Sequence, residues 1–176
     1  MRTKMTILIS YILTILFVGC EKNESKVAQQ ALIDIGVLVH YVDNDGTDLL
    51  DSSKVDSYKS SGMRLYFMAY GNKVEVPFNS MLDMPRGFKV EKSERNGSYV
   101  VNTLIYCGDT TNLINNAVNT VNSVTYLQLD EKVTDTIKCE IRRRGSVYME
   151  VQKLWYNGEL KWSLESNTPR EITIEK

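Results

Sequence analysis

The feature that most constrains the fold is Asn157-Gly158, set between two runs in which apolar and polar side chains alternate. A two-residue Asn-Gly loop matches the twist of paired antiparallel strands and fixes their register. In that register Trp155 faces Leu160, Lys153 faces Trp162 and Val151 faces Leu164, giving a mostly apolar face with Val147 and Met149. Tyr148, Glu150, Gln152, Tyr156, Glu159, Lys161 and Ser163 then form a more polar face turned to solvent.

The same period-two pattern recurs along the chain. It predicts strands at residues 34–42, 99–107, 124–129, 134–142, 147–156, 159–164 and 171–175, with a short one near 88–90. A second hairpin, 63–70 against 73–78 around Gly71-Asn72, pairs Ala69 with Val74, Phe67 with Val76 and Leu65 with Phe78. Helical spacing of Leu113, Ile114, Ala117, Val118 and Val121 predicts one helix over 110–121, although its asparagines are poor helix formers. Strand follows strand without a βαβ rhythm. The expected fold is a mainly antiparallel β-sandwich, immunoglobulin-like or related, with at most one or two short helices.

The N-terminus sets an address. Arg2 and Lys4 precede an apolar run over 7–18 that ends at Gly19-Cys20, the pattern of a secretory signal. That run is short of the about 20 apolar residues a spanning helix needs. Phe17-Val18-Gly19-Cys20 resembles the bacterial lipobox, which implies that Cys20 is lipidated and becomes the new N-terminus. Residues 21–26 are polar and lack apolar periodicity, as expected of a tether. The division is therefore a signal peptide over 1–19, a lipidated cysteine and flexible tether over 20–30, and a β-sandwich domain over 31–176. Acidic residues behind the cysteine resemble the surface-export signal of Bacteroidetes lipoproteins, which implies the outer membrane, on its periplasmic or outer side.

Charge and cysteines narrow the chemistry. The formal charge of −1 turns more negative when Arg2 and Lys4 leave, so no basic excess supports a nucleic-acid partner. Arg142-Arg143-Arg144, beside Gly145-Ser146, reads as a solvated hairpin loop. Beyond Cys20 stand Cys107 and Cys139, which in an oxidising compartment either bridge or remain as buried thiols. A single histidine, His40, on a predicted strand reads as a packed ring, and neither a zinc site nor any cofactor is expected.

Three stretches are candidate sites. Asp43, Asp45 and Asp48 alternate in a turn-rich segment as calcium ligands do. An EF-hand aligned on Gly46 would need ligands where Tyr41 and Ser52 stand, so a turn held by Asx hydrogen bonds fits better. Trp155 and Trp162 invite a sugar-stacking role, but the hairpin register places both on the apolar face, as core. Tyr148 and Tyr156, on the opposite face, are the candidate binding platform. The chain has no Gly-x-Ser-x-Gly elbow, no His-Glu-x-x-His pair and no phosphate-binding glycine loop.

Asp43 to Leu50 in the order Asp-x-x-Gly-Thr-Asp-Leu-Leu, with Thr136-Ile137-Lys138-Cys139-Glu140 and Leu154-Trp155-Tyr156-Asn157-Gly158-Glu159-Leu160, resembles small uncharacterised lipoproteins of Bacteroidetes. The resemblance implies an all-β envelope protein and carries over no functional residues. The function expected is a lipid-anchored, non-enzymatic binding module for a protein or glycan. The alternatives are a structural part of an envelope assembly, and a hydrolase or hydrolase accessory using carboxylates from separate strands.

Overall fold

In the computed structural model the described residues are 31–108 and 117–176. The strands are β1 (Leu32–Asp34), β2 (Gly36–Val42), β3 (Arg64–Ala69), β4 (Asn72–Glu75), β5 (Phe88–Lys92), β6 (Tyr99–Leu104), β7 (Val118–Gln128), β8 (Thr134–Arg144), β9 (Tyr148–Tyr156), β10 (Glu159–Ser163) and β11 (Glu171–Glu175). A seven-stranded sheet runs β1-β9-β8-β7-β3-β4, with β10 also on β9, and a four-stranded sheet runs β11-β2-β6-β5. The pairs β1–β9 and β11–β2 are parallel and the others antiparallel. The fold is mainly β, two mixed sheets without barrel closure, as the alternating pattern requires.

One core lies between the inner faces. Val37, Val39, Tyr41 and Ile172 enter it from the smaller sheet, and Leu127, Ile137, Ile141, Leu154 and Trp162 from the larger. Each aliphatic side chain so buried contributes about 1.5–3 kcal/mol relative to exposure. A polar bridge crosses this apolar layer: Tyr41 of β2 donates to the Tyr156 hydroxyl of β9, which donates to Asp135 Oδ2 at 2.7 Å. Asn157 Nδ2 at 2.8 Å and Lys176 Nζ at 2.5 Å complete the Asp135 carboxylate.

Both hairpins form, each with a difference in register. At Asn157-Gly158 both residues have positive φ, 49° and 90°, the conformation of a type I′ turn, and Trp155 pairs with Leu160 as expected. Beyond that pair Lys161 is an extra residue, so Trp162 pairs with Leu154 and turns inward. The first hairpin turns at Tyr70-Gly71 rather than Gly71-Asn72, pairing Phe67 with Val74 and Ala69 with Asn72. A slip of two residues keeps every side chain on its expected face.

The predicted helix is corrected where it can be seen. Val118 to Val121 belong to β7, which pairs with β8 along its whole length, and residues 109–116 lie outside the described residues. A long partner strand and a β-branched, asparagine-rich sequence outweigh the helical spacing. The signal peptide, Cys20 and the tether also lie outside the described residues.

Candidate functional site

The site begins with one inserted residue. Glu140 of β8 pairs with Lys153 of β9, but the next residue, Ile141, pairs with Val151, which leaves Gln152 bulged out of the ladder. A bulge reverses the facing of every residue beyond it. Val151 faces the core before the bulge, and Leu154 and Tyr156 face it afterwards, while Trp155 turns to the outer face. Tyr156 is therefore 2 % exposed, and its placement on a solvent platform is corrected. Trp155 as core is corrected for the same reason, whereas Trp162 is core as expected.

Trp155 joins an array of rings and cations on the outer face of the seven-stranded sheet. Lys138 pairs with it across β8 and β9, with its ammonium 5.7 Å from the indole ring centre. Tyr66 and Tyr126 pair across β3 and β7, and Lys73 of β4 lies 4.4 and 4.8 Å from their ring centres. At the other end Tyr148 pairs with Arg144, whose guanidinium lies 5.9 Å from the ring centre. Tyr148, Arg142, Arg144 and Val118 line a hollow of about 150 Å³. The Tyr148 hydroxyl donates to Glu150 Oε2 at 2.7 Å, and this bond, more than its slight burial, pushes the phenol above its ordinary pKa.

The arginine triplet belongs to β8 and is not a loop. Alternation sends Arg142 and Arg144 outward and Arg143 inward, where it donates to the carbonyls of Gly145 at 3.1 Å and Cys107 at 3.1 Å. Some charges on the outer face are neutralised, Arg64 by Glu75 at 3.5 Å and Lys153 by Glu140 at 3.9 Å. Lys73, Lys138, Arg142 and Arg144 form no ion pair with a described residue. Cations beside accessible rings are equipped to hold an anionic partner that also offers a face to stack.

The other predicted site residues have local partners. Asp43 Oδ1 accepts from the amides of Asp45 at 3.0 Å and Thr47 at 2.7 Å, an Asx turn. Asp48 Oδ1 accepts from Leu50 N and Oδ2 from Tyr99 N, both at 2.8 Å, so it pins this turn to β6. The segment is thus the Asx turn that the sequence favours over a calcium loop, and among the described residues no three acidic, His or Cys groups converge on a metal position. Cys107 and Cys139 are free thiols, so no bridge joins them. His40 packs beside Asp48, its Nε2 3.6 Å from Oδ2.

No protein-family model matches the chain, and no curated protein or solved structure is significantly similar to it. The geometry alone carries the functional argument. Of the residues on this face, the sequence reading names Tyr148, sets Trp155 aside as core, and does not single out Tyr66, Tyr126, Lys73 or Lys138. Alternation over 123–128, where Ser123, Thr125 and Leu127 are buried, would have turned Tyr126 outward had the small polar Ser123 and Thr125 been taken as interior.

Proposed function

We propose that this chain is a non-enzymatic binding module, held at the bacterial cell envelope by a lipid on Cys20, that engages an acidic glycan. The observation carrying this reading is the outer face of the seven-stranded sheet, where Trp155, Tyr66, Tyr126 and Tyr148 each lie beside a lysine or arginine. Sugar rings lay their apolar C–H faces on such aromatics, and the unpaired cations take the carboxylate or sulfate groups of the polymer. An open face with several weak contacts suits a repeating polymer, because successive sugars bind at high effective concentration.

The test is retention of the mature chain from Glu21 onward on alginate, pectate and a neutral glucan. Retention on an acidic polymer, lost in Trp155→Ala and in the Arg142→Ala/Arg144→Ala pair with melting temperature unchanged, is the expected outcome. Retention indifferent to all three substitutions would overturn the assignment. The anchor is tested separately by Cys20→Ala, which should move the protein from the membrane to the soluble fraction.

A second reading, a part in an envelope assembly, draws on β4. This edge strand is exposed along its length and pairs only with β3 among the described residues, with exposed Tyr70 and Phe78 close by in sequence. Strand addition at such an edge would show as a protein partner cross-linked through residues 72–75.

A further inference from the structure

The four-stranded sheet has a hollow of its own on the face turned away from the core. Leu38 of β2 and Val100 of β6 form its apolar floor, Glu91, Asn102 and Glu171 line it, and residues 93–95 of the β5–β6 connection close over it. It encloses about 250 Å³, below the usual range for drug-sized ligands and enough for a compact one.

Of the three glutamates that line it, Glu91 and Glu171 differ. Glu91 Oε1 accepts from Asn102 Nδ2 at 2.7 Å, and Oε2 pairs with Lys89 Nζ at 2.7 Å. Burial pushes this carboxyl up, but the two bonds outweigh it and hold the group below its ordinary pKa. Glu171, 10 % exposed, has no such completion: its Oε2 is buried and accepts no hydrogen bond from a described residue. The nearest cation, Arg95 Nη1, stands at 3.8 Å, outside hydrogen-bond reach, on a side chain 59 % exposed. A desolvated carboxylate oxygen without a donor is costly, and folded proteins rarely keep one unless something completes it.

We propose that this hollow binds a primary ammonium group on a compact body. The ammonium donates to Glu171 Oε2, displacing Arg95 as counter-ion, while the body lies on Leu38 and Val100. The aliphatic floor gives an uncharged sugar no ring to stack on, and three acidic, His or Cys ligands for a metal ion do not converge there among the described residues. Past the Arg95–Glu171 pair lies a second hollow of about 320 Å³, bounded also by Asn96 and Thr173. The amine can therefore belong to a longer molecule that leaves by that route.

The test is calorimetric titration of the full chain, in non-ionic detergent, with n-butylamine, with glucosamine and with N-acetylglucosamine. Saturable binding of an amine is expected, with none of the acetylated sugar, because acetylation removes the charge. Butylamine alone would assign an alkylammonium ligand, and tighter binding of glucosamine would assign an amino sugar. Glu171→Gln should weaken binding roughly tenfold, the scale of one charge-assisted hydrogen bond. Arg95→Ala should strengthen it several-fold, which loss of a merely structural contact would not do. Failure of both amines to bind, or affinity indifferent to Glu171→Gln, would overturn the proposal. If Glu171→Gln does not fold, unchanged or weaker binding in Arg95→Ala overturns it instead.

Discussion

Tyr41 and Tyr156 meet hydroxyl to hydroxyl between the two sheets, and Tyr156 in turn donates a hydrogen bond to Asp135 Oδ2. Removing the Tyr41 hydroxyl leaves that donation intact. Removing the Tyr156 hydroxyl strands Tyr41 and deprives Asp135 of a donor. Tyr156→Phe should therefore cost about 1–3 kcal/mol and Tyr41→Phe less, read as shifts in the urea midpoint. Equal losses would mean that the two hydroxyls do not form a directed chain.

The same pair sets the alkaline limit. Burial, above all, raises both phenols above their ordinary pKa. In the unfolded chain they lose protons near pH 10 while the folded chain keeps them, so stability is full below that pH and falls above it. The slope should approach about 1.4 kcal/mol per pH unit for each phenol, and either Phe variant should flatten it. Unfolding free energies between pH 9 and 11 check this.

The two tryptophans separate binding from folding. Trp162 is buried, donates from Nε1 to Thr168 O at 2.8 Å and lies under the Arg170 guanidinium at 4.9 Å. Trp162→Ala should cost about 3–5 kcal/mol, as large aromatic deletions do. Trp155→Ala should leave the urea midpoint within about 1 kcal/mol of wild type and abolish the fluorescence change on adding an acidic glycan. A large stability loss in Trp155→Ala would return that ring to the core.

What was legible followed from patterns that stand alone. The Asn157-Gly158 turn and the alternation of Ile137, Cys139 and Ile141 depend on nothing distant, and both are found in the structure. The positions of Tyr156 and Trp155 depend on Gln152 standing out of the ladder with β8, on a strand that also pairs with β1 and β10. No local propensity marks such an insertion. The hollow around Glu171 was invisible for a related reason. It joins strands at opposite edges of a sheet through a connecting loop, and nothing in the order of residues brings Arg95 to Glu171.

The thiols differ in reach. Burial pushes the Cys139 thiol up to about 12, and the Cys107 thiol is also raised by burial, with the Arg143 charge opposing. At pH 8 neither is appreciably ionised, so both should alkylate slowly, with Cys107, only partly buried, ahead of Cys139. Peptide mapping after iodoacetamide treatment, with and without urea, reads the order. Recovery of a Cys107–Cys139 disulfide from non-reduced protein would contradict the free-thiol structure.

Asp43 gives the acid-side counterpart. The backbone amides it accepts from, Thr47 first, lower its carboxyl from the ordinary value. A depressed pKa means that its stabilisation is complete above the unfolded value and fades as pH falls through the folded one. Asp43→Asn should flatten the acid limb of the stability curve. Added calcium should leave the melting temperature of both forms unchanged, because binding to the folded state would raise it.

Arg170 is where the ends of the fold are tied. Its Nη1 donates to the carbonyls of Asp34 at 3.2 Å and Gly36 at 2.9 Å, and Nη2 pairs with Asp34 Oδ2 at 2.6 Å. The guanidinium also covers Trp162. Asp34 is half exposed, so the ion pair itself contributes no more than about 1 kcal/mol. The carbonyls and the indole are what the planar fork satisfies together, and a lysine cannot reproduce that geometry. Arg170→Ala should cost about 2–4 kcal/mol, with Arg170→Lys recovering less than half of it and Asp34→Asn nearly silent. Urea midpoints of the three variants decide the matter. If Asp34→Asn costs as much as Arg170→Ala, the exposed ion pair rather than the buried contacts secures this corner.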